Sequence, residues 1–217
     1  IYPYPNKFQK WLNDIKLNLK KAESLEDMEH KCCFYYYLDQ EIINTSLPID
    51  GFPKVIERLE ILGLPFTYSE LAGGYTYQYT LRKKVIEEFN GTVCARLAVL
   101  KNLSRGEIYD TSKMTIQVIR DANKLLSIDS LSLEEKALAL LYLAEAYETE
   151  WFAYVYPDQS GLADFHTRSK QEARKRTLQS YKSLANIESP LQDYALKKVK
   201  SIEKGEIPKT VKYNVFE

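Results

Sequence analysis

Histidine is the side chain best suited to acid–base chemistry near neutral pH, and this chain contains two of them. His166 follows Asp164 by two residues, and an aromatic segment, 151–156, precedes both. A carboxylate beside an imidazole can orient it as a general base, and aromatic rings can line a pocket around it. No serine or cysteine nucleophile in a recognisable motif accompanies them. We therefore interpret Asp164 as a helix cap, or as part of a binding loop, in preference to a catalytic residue.

The second histidine and the cysteines give weaker patterns. Glu26 and His30 are four residues apart, so they share one face of a helix, but no second helix repeats such a pair. The simpler interpretation is a solvated surface. Cys32, Cys33 and Cys94 are odd in number, and adjacent cysteines cannot bridge each other without strain. We interpret them as buried thiols, in preference to a disulfide or redox role, and we predict no metal site and no cofactor.

Charge is balanced over the whole chain, with 30 Lys and Arg against 30 Asp and Glu. This balance argues against disorder and against a molecule-wide attraction to nucleic acid or to anionic membranes. The densest basic run, 168–176, is diluted by Glu172, so a solvated helical face is favoured over an RNA or acidic-peptide site. No apolar stretch reaches the ~18 residues that span a bilayer. We expect a cytoplasmic location, or an extracytoplasmic one if a signal or anchor preceded Ile1.

The elements that must position these residues are helices. Apolar residues recur at intervals of three and four, and glycine is scarce at 8 residues, which favours an all-α fold of eight or nine helices with short links. Gly63 is predicted to end the third helix, and the link 129–132 supplies capping residues for the most regular one. The predicted helices run over about 8–19, 25–43, 53–62, 93–100, 112–127, 133–156, 163–186 and 190–204.

Segment 66–80 allows two readings. Tyr75, Tyr77 and Tyr79 alternate with polar residues after Gly73 and Gly74, which is typical of a strand. Helical spacing follows directly and continues to Phe89. We expect a helix that begins near Gly74 and includes the tyrosines, with a small β-hairpin as the alternative.

Region 133–190 resembles a tetratricopeptide repeat, because small and large residues fall at the family's helix-crossing positions. The matching residues of the region are Leu140, Leu143, Ala144, Tyr147, Ala185 and Pro190. Ala122 and Leu126, before it, fall where the preceding repeat would place the small and large residues of its second helix. The region departs from the 34-residue repeat by roughly 20 extra residues, which hold the loop at 157–164, and Tyr181 lies one position off register. The resemblance implies antiparallel helix hairpins stacked as a short α-solenoid. The expected organisation is an N-terminal helical region, 1–110, and a tetratricopeptide-like region, 111–217, in one continuous domain.

Tyrosine is abundant, at 17 residues, and its large ring with a polar hydroxyl suits helix crossings and interfaces alike. We predict a scaffold or adaptor that binds a protein or peptide, without catalytic activity and without nucleic acid. The alternative is a small-ligand receptor or an enzyme that uses the aromatic Asp/His loop at 151–166. The candidate binding residues are Tyr142, Glu145, Tyr147, Trp151, Tyr154, Asp164 and His166.

Overall fold

In the computed structural model, the described residues are 6–44, 54–64, 66–71, 74–79, 85, 88–104, 111–160 and 164–208. Apart from one β-hairpin, the elements of these residues are helices, so the all-α prediction is confirmed. The chain divides into two compact units, Ile1–Ala98 and Val99–Glu217, which we call unit 1 and unit 2. None of the helices within the described ranges is both long and apolar enough to cross a bilayer.

Unit 1 begins with three helices: α1 (Asn6–Ser24), α2 (Met28–Asn44) and α3 (Val55–Leu62). Phe8, Trp11, Leu12 and Ile15, spaced at three and four residues along α1, are buried. Helix α2 packs against both α1 and α3. Gly63 ends α3 with a φ of 68°, and its N–H donates to the carbonyl of Glu60 at 3.0 Å. Glycine adopts this left-handed conformation at little cost, which confirms the predicted helix end.

A β-hairpin follows, formed by β1 (Phe66–Leu71) and β2 (Gly74–Tyr79). The strands are antiparallel, with Tyr68 opposite Tyr77 and Phe66 opposite Tyr79. The expected helix beginning near Gly74 is therefore wrong, and the alternative hairpin is correct. Aromatic and β-branched residues that alternate with a period of two fit a strand better than a helix, where they lose rotamer freedom. Later in the same segment, Val85 and Glu88 are helical.

Helix α4 (Val93–Ser104) begins beside α2. Both oxygens of the Glu29 carboxylate accept backbone N–H groups of its first turn, from Val93 at 2.9 Å and from Cys94 at 2.6 Å. Thr92 adds a third cap, because its Oγ1 accepts the N–H of Ala95 at 3.1 Å. The first amides of a helix have no partner within the helix, so these caps stabilise the start of α4.

Unit 2 contains α5 (Thr111–Leu126), α6 (Leu133–Val155), α7 (Pro157–Ser160), α8 (Lys170–Ala185) and α9 (Gln192–Glu203). Helix α5 packs on α6, α6 on α8, and α8 on α9, which is a stacked helical arrangement. Helix α6 is buried along nearly its whole length, since Ala, Leu and aromatic residues occupy every side of it. It is the element on which the rest of unit 2 is assembled.

The two ends of the segment between α6 and α8 differ from the sequence prediction. Residues 157–160 form the short helix α7 where a loop was expected, and the helix predicted over 163–186 begins only at Lys170. Its N-cap is Ser169, whose side chain accepts the N–H of Glu172 at 3.2 Å. The interpretation of Asp164 as the cap is therefore wrong. Residues 164–169 instead form a loop, which we call the α8 loop.

Candidate functional site

The α8 loop is held in place by a buried carboxylate. Glu150, on α6, has no exposed surface. Its oxygens accept the backbone N–H of His166, the backbone N–H of Thr167 at 3.0 Å and the hydroxyl of Thr167 at 2.7 Å. A buried charge is costly unless hydrogen bonds compensate it, and the loop supplies three donors. The conformation of the loop and the burial of Glu150 therefore depend on each other.

Tyr154 adds a second attachment one turn further along α6. Its hydroxyl donates to the carbonyl of Thr167 at 2.6 Å, and its ring stacks on Phe165 with 4.3 Å between centroids. Thr167 is itself 3% exposed, so it is anchored through its amide, its hydroxyl and its carbonyl. Both the backbone and the apolar side of the α8 loop are thus fixed to α6.

His166 lies on the outer side of this loop and is exposed. Its ring meets the ring of Tyr147 edge-on, with 6.0 Å between centroids. Tyr147 is 5% exposed. Burial raises the pKa of Tyr147, although the charge of Arg176 acts in the opposite direction. One imidazole is therefore displayed next to a phenol that stays neutral at physiological pH.

Charged side chains follow His166 along the α8 loop and the first turns of α8. Arg168 and Lys170 are exposed, and their side chains form no ion pair among the described residues. The amide of Arg168 donates to Glu172 Oε2 at 3.0 Å, and Glu172 lies 3.8 Å from the guanidinium of Arg176. The outer face of the site is therefore polar, with an excess of positive charge.

The structure distributes the sequence-predicted residues between core and surface. Tyr142, Tyr147 and Trp151 are buried within helix packing, and Glu145 and Tyr154 are half-buried. Asp164 and His166 are exposed, and no hydrogen bond joins them among the described residues. The structure brings Tyr147, Tyr154 and His166 into one cluster. Tyr142 lies about two helical turns before Glu150, which separates it along α6 from the α8 loop.

Sequence reasoning missed Glu150 and Thr167, the two residues that organise the site. Glu150 stands in the run Ala146–Ala153, in which apolar residues dominate, on the most regular helix of the chain. A carboxylate within a helix that is apolar on every side needs a partner, and this is the signal that could have identified it. Nothing local to Thr167 identifies that partner.

A second buried carboxylate, Glu148, joins three helices of unit 2. Its oxygens accept the hydroxyl of Tyr181 at 2.6 Å and the ammonium of Lys198 at 2.7 and 2.8 Å. Burial, with the negative charge of Glu148, raises the pKa of Tyr181. Burial also disfavours the charged form of Lys198, but Glu148 and Tyr194 together outweigh it and raise the pKa of Lys198. This cluster has its hydrogen-bonding groups paired, so we assign it to stability.

Among the described residues, the potential metal-ligating group lies in unit 1 and includes neither histidine. Glu29, Cys33 and Cys94 bring their ligand atoms within 4.8 Å of one another. Cys32 and Cys94 are buried, as predicted, but Cys33 is exposed, so the prediction of a buried thiol is wrong for that residue. Adjacent residues on a helix point about 100° apart, which places one of the pair outward. His30 is exposed and lies 3.2 Å from Asp27, consistent with a solvated surface.

No protein-family model matches the chain, and neither a curated protein nor a solved structure matches it.

Proposed function

We propose that this chain is a helical scaffold that binds a protein or peptide through the exposed face of the α8 loop and the first turns of α8. The observation that carries the proposal is the clamp of Glu150 on the amides of His166 and Thr167. The clamp orders the loop backbone and leaves His166 exposed. A loop that is ordered before binding loses less conformational entropy in the complex, which favours recognition.

The chemistry of the exposed face indicates what it recognises. Arg168 and Lys170 provide positive charge without an ion-pair partner among the described residues, and His166 adds a planar ring. Guanidinium groups form paired hydrogen bonds with carboxylates, and arginine is enriched in protein interfaces. The proposed partner is therefore a protein segment that carries carboxylates. The proposal includes the tetratricopeptide-like arrangement, with which the packing of α5, α6, α8 and α9 in chain order is compatible.

Catalysis at the same place has less support. A general base needs a group that orients it, and Asp164 is exposed with no hydrogen bond to His166 among the described residues. Trp151, expected to line a pocket in that alternative, is 3% exposed and packs in the core. The residues that reach His166 hold its backbone and one edge of its ring, which favours display of the side chain over proton transfer.

Site-specific photocrosslinking tests the proposal. A benzophenone amino acid is placed at His166 or Arg168, and at Glu134 as the control, because Glu134 is also exposed and lies at the opposite end of α6. We expect a discrete protein adduct from the first two positions that is absent from the control and is competed away by the identified partner. Adducts equal to the control would overturn the proposal. A small molecule that co-purifies with the chain and is lost in His166→Ala would instead favour the ligand-binding alternative.

A further inference from the structure

Cys33 and Cys94 lie close together in unit 1, although the two are distant in sequence. Cys32 and Cys33 are on α2, and Cys94 is in the first turn of α4. A carboxylate oxygen of Glu29 completes a group with Cys33 and Cys94 in which the ligand atoms all lie within 4.8 Å of one another. Two helices thus contribute soft and hard donors to one place.

The backbone holds this group in position. Glu29 and Cys33 are four residues apart on α2, so they lie on the same face of the helix. The Glu29 oxygens accept the amides of Val93 and Cys94 at 2.9 and 2.6 Å. Each carboxylate oxygen has a second lone pair, so these bonds leave a position free for a cation. Hydrogen bonds from outside a metal site orient its ligands in this manner.

Access and electrostatics also suit a cation. Cys33 is exposed and opens the group to solvent, whereas Cys94 is buried behind it. Cys94 lies in the first turn of α4, where the helix dipole stabilises a thiolate. The group is therefore open to solvent on one side, and its buried thiol lies at a helix N-terminus.

We propose that Glu29, Cys33 and Cys94 form a binding site for a thiolate-preferring divalent cation such as zinc. Zinc takes sulfur at about 2.3 Å and carboxylate oxygen at about 2.0–2.2 Å, which places tetrahedral ligands less than about 4 Å apart. Because the ligand atoms lie within 4.8 Å of one another, the group needs to close by at most about 1 Å to reach that geometry. Each ligating thiol releases its proton to solvent and bonds to the metal through sulfur, without any change of oxidation state.

The test uses the full chain, reduced with a phosphine and freed of metal, and titrated with zinc against a chromophoric chelator. We expect one equivalent of zinc to bind, and cobalt in its place to give a thiolate-to-metal charge-transfer band. Cys33→Ser is the main variant because Cys33 is exposed, so the metal-free variant is expected to melt at the same temperature as the metal-free parent. Its zinc affinity is expected to fall by at least about tenfold.

Glu26→Gln is the matched control, since it removes an exposed carboxylate close in sequence to Glu29 and should leave zinc affinity unchanged. Zinc should also raise the melting temperature of the parent and of Glu26→Gln, but not that of Cys33→Ser. Equal zinc affinity of the parent and Cys33→Ser, or cobalt binding without the charge-transfer band, would overturn the proposal. Failure of the reduced parent to retain zinc would also overturn the proposal. The same holds if Cys33 and Cys94 link to each other on exposure to air and the reduced protein binds no zinc. None of these outcomes bears on partner binding by the α8 loop.

Discussion

Glu150 and Thr167 are joined by two hydrogen bonds, one from the amide of Thr167 at 3.0 Å and one from its hydroxyl at 2.7 Å. Both residues are buried, and seventeen positions separate them in the chain. Through these bonds, a buried carboxylate of α6 anchors the exposed α8 loop. Stability and the proposed recognition therefore depend on the same contact.

Removing the Glu150 charge is expected to destabilise unit 2. In Glu150→Gln, one of the loop donors faces an amide NH₂ group in place of a carboxylate oxygen, so a buried polar group loses its partner. The expected loss is about 2 kcal/mol in the free energy of unfolding. Urea unfolding followed by circular dichroism measures it. Glu134→Gln, at an exposed position, should change stability by less than about 0.5 kcal/mol. Equal stabilities of the two variants would contradict the role of Glu150.

The capping box at the start of α6 gives a second prediction. Ser132 accepts the amide of Glu135 at 3.2 Å, and the Glu135 carboxylate accepts the amide of Ser132 at 2.8 Å. Ser132→Ala leaves an amide of the first turn without its acceptor and should cost about 1 kcal/mol. Ser130→Ala is the control, because Ser130 is exposed two residues earlier. Thermal unfolding of both variants decides whether the cap contributes.

One ion pair joins α6 to α9 and another joins α8 to α9, and the two pairs have similar distances but differ in burial. The Lys198 and Glu148 atoms are 2.7 Å apart and largely enclosed, whereas Lys182 and Glu203 are 2.6 Å apart with about half of each side chain exposed. Water screens the exposed pair, so its coupling energy should stay below about 1 kcal/mol. The enclosed pair should couple by about 1–3 kcal/mol. Double-mutant cycles with Lys→Met and Glu→Gln changes measure both, and equal coupling would refute the distinction.

Alkaline pH should destabilise unit 2 through Tyr181. Burial and the charge of Glu148 raise the pKa of Tyr181 in the folded protein, whereas in the unfolded chain it ionises near pH ~10. The folded state then holds a proton that the unfolded state has lost. The stabilisation is complete below pH ~10 and declines above it, by about 1.4 kcal/mol per pH unit for one proton. Lys198, whose pKa is also raised, acts in the same direction.

The comparison of Tyr181→Phe with the parent isolates this proton. The variant should show a shallower loss of stability between pH 10 and 11 in urea unfolding, at the cost of a lower stability at neutral pH because Glu148 loses a donor. Tyr37→Phe, which removes an exposed phenol, controls for the loss of one hydroxyl. Parallel profiles for the parent and Tyr181→Phe would show that the ionisation of Tyr181 does not limit alkaline stability.

The sequence by itself determined the features that depend on neighbours along the chain. The helical class follows from apolar spacing, the end of α3 at Gly63 from the freedom of glycine, and the start of α6 from the capping residues near Ser132. Each of these is decided within about one or two helical turns. The zinc site, the tetratricopeptide-like likeness and the identity of a partner stay predictions.

Only the tertiary structure decided which distant groups meet. Glu150 accepts a hydrogen bond from the amide of His166, and Glu29 accepts the amides at the start of α4. The partners are far apart in the chain, and no sequence pattern relates them. Side-chain acceptors also set the start of α8. The amides of Thr167 and Arg168, which would have extended the helix, are bonded to Glu150 and Glu172 instead. A buried carboxylate must be satisfied by whatever donors the packing brings to it, so its partner depends on the whole arrangement of helices.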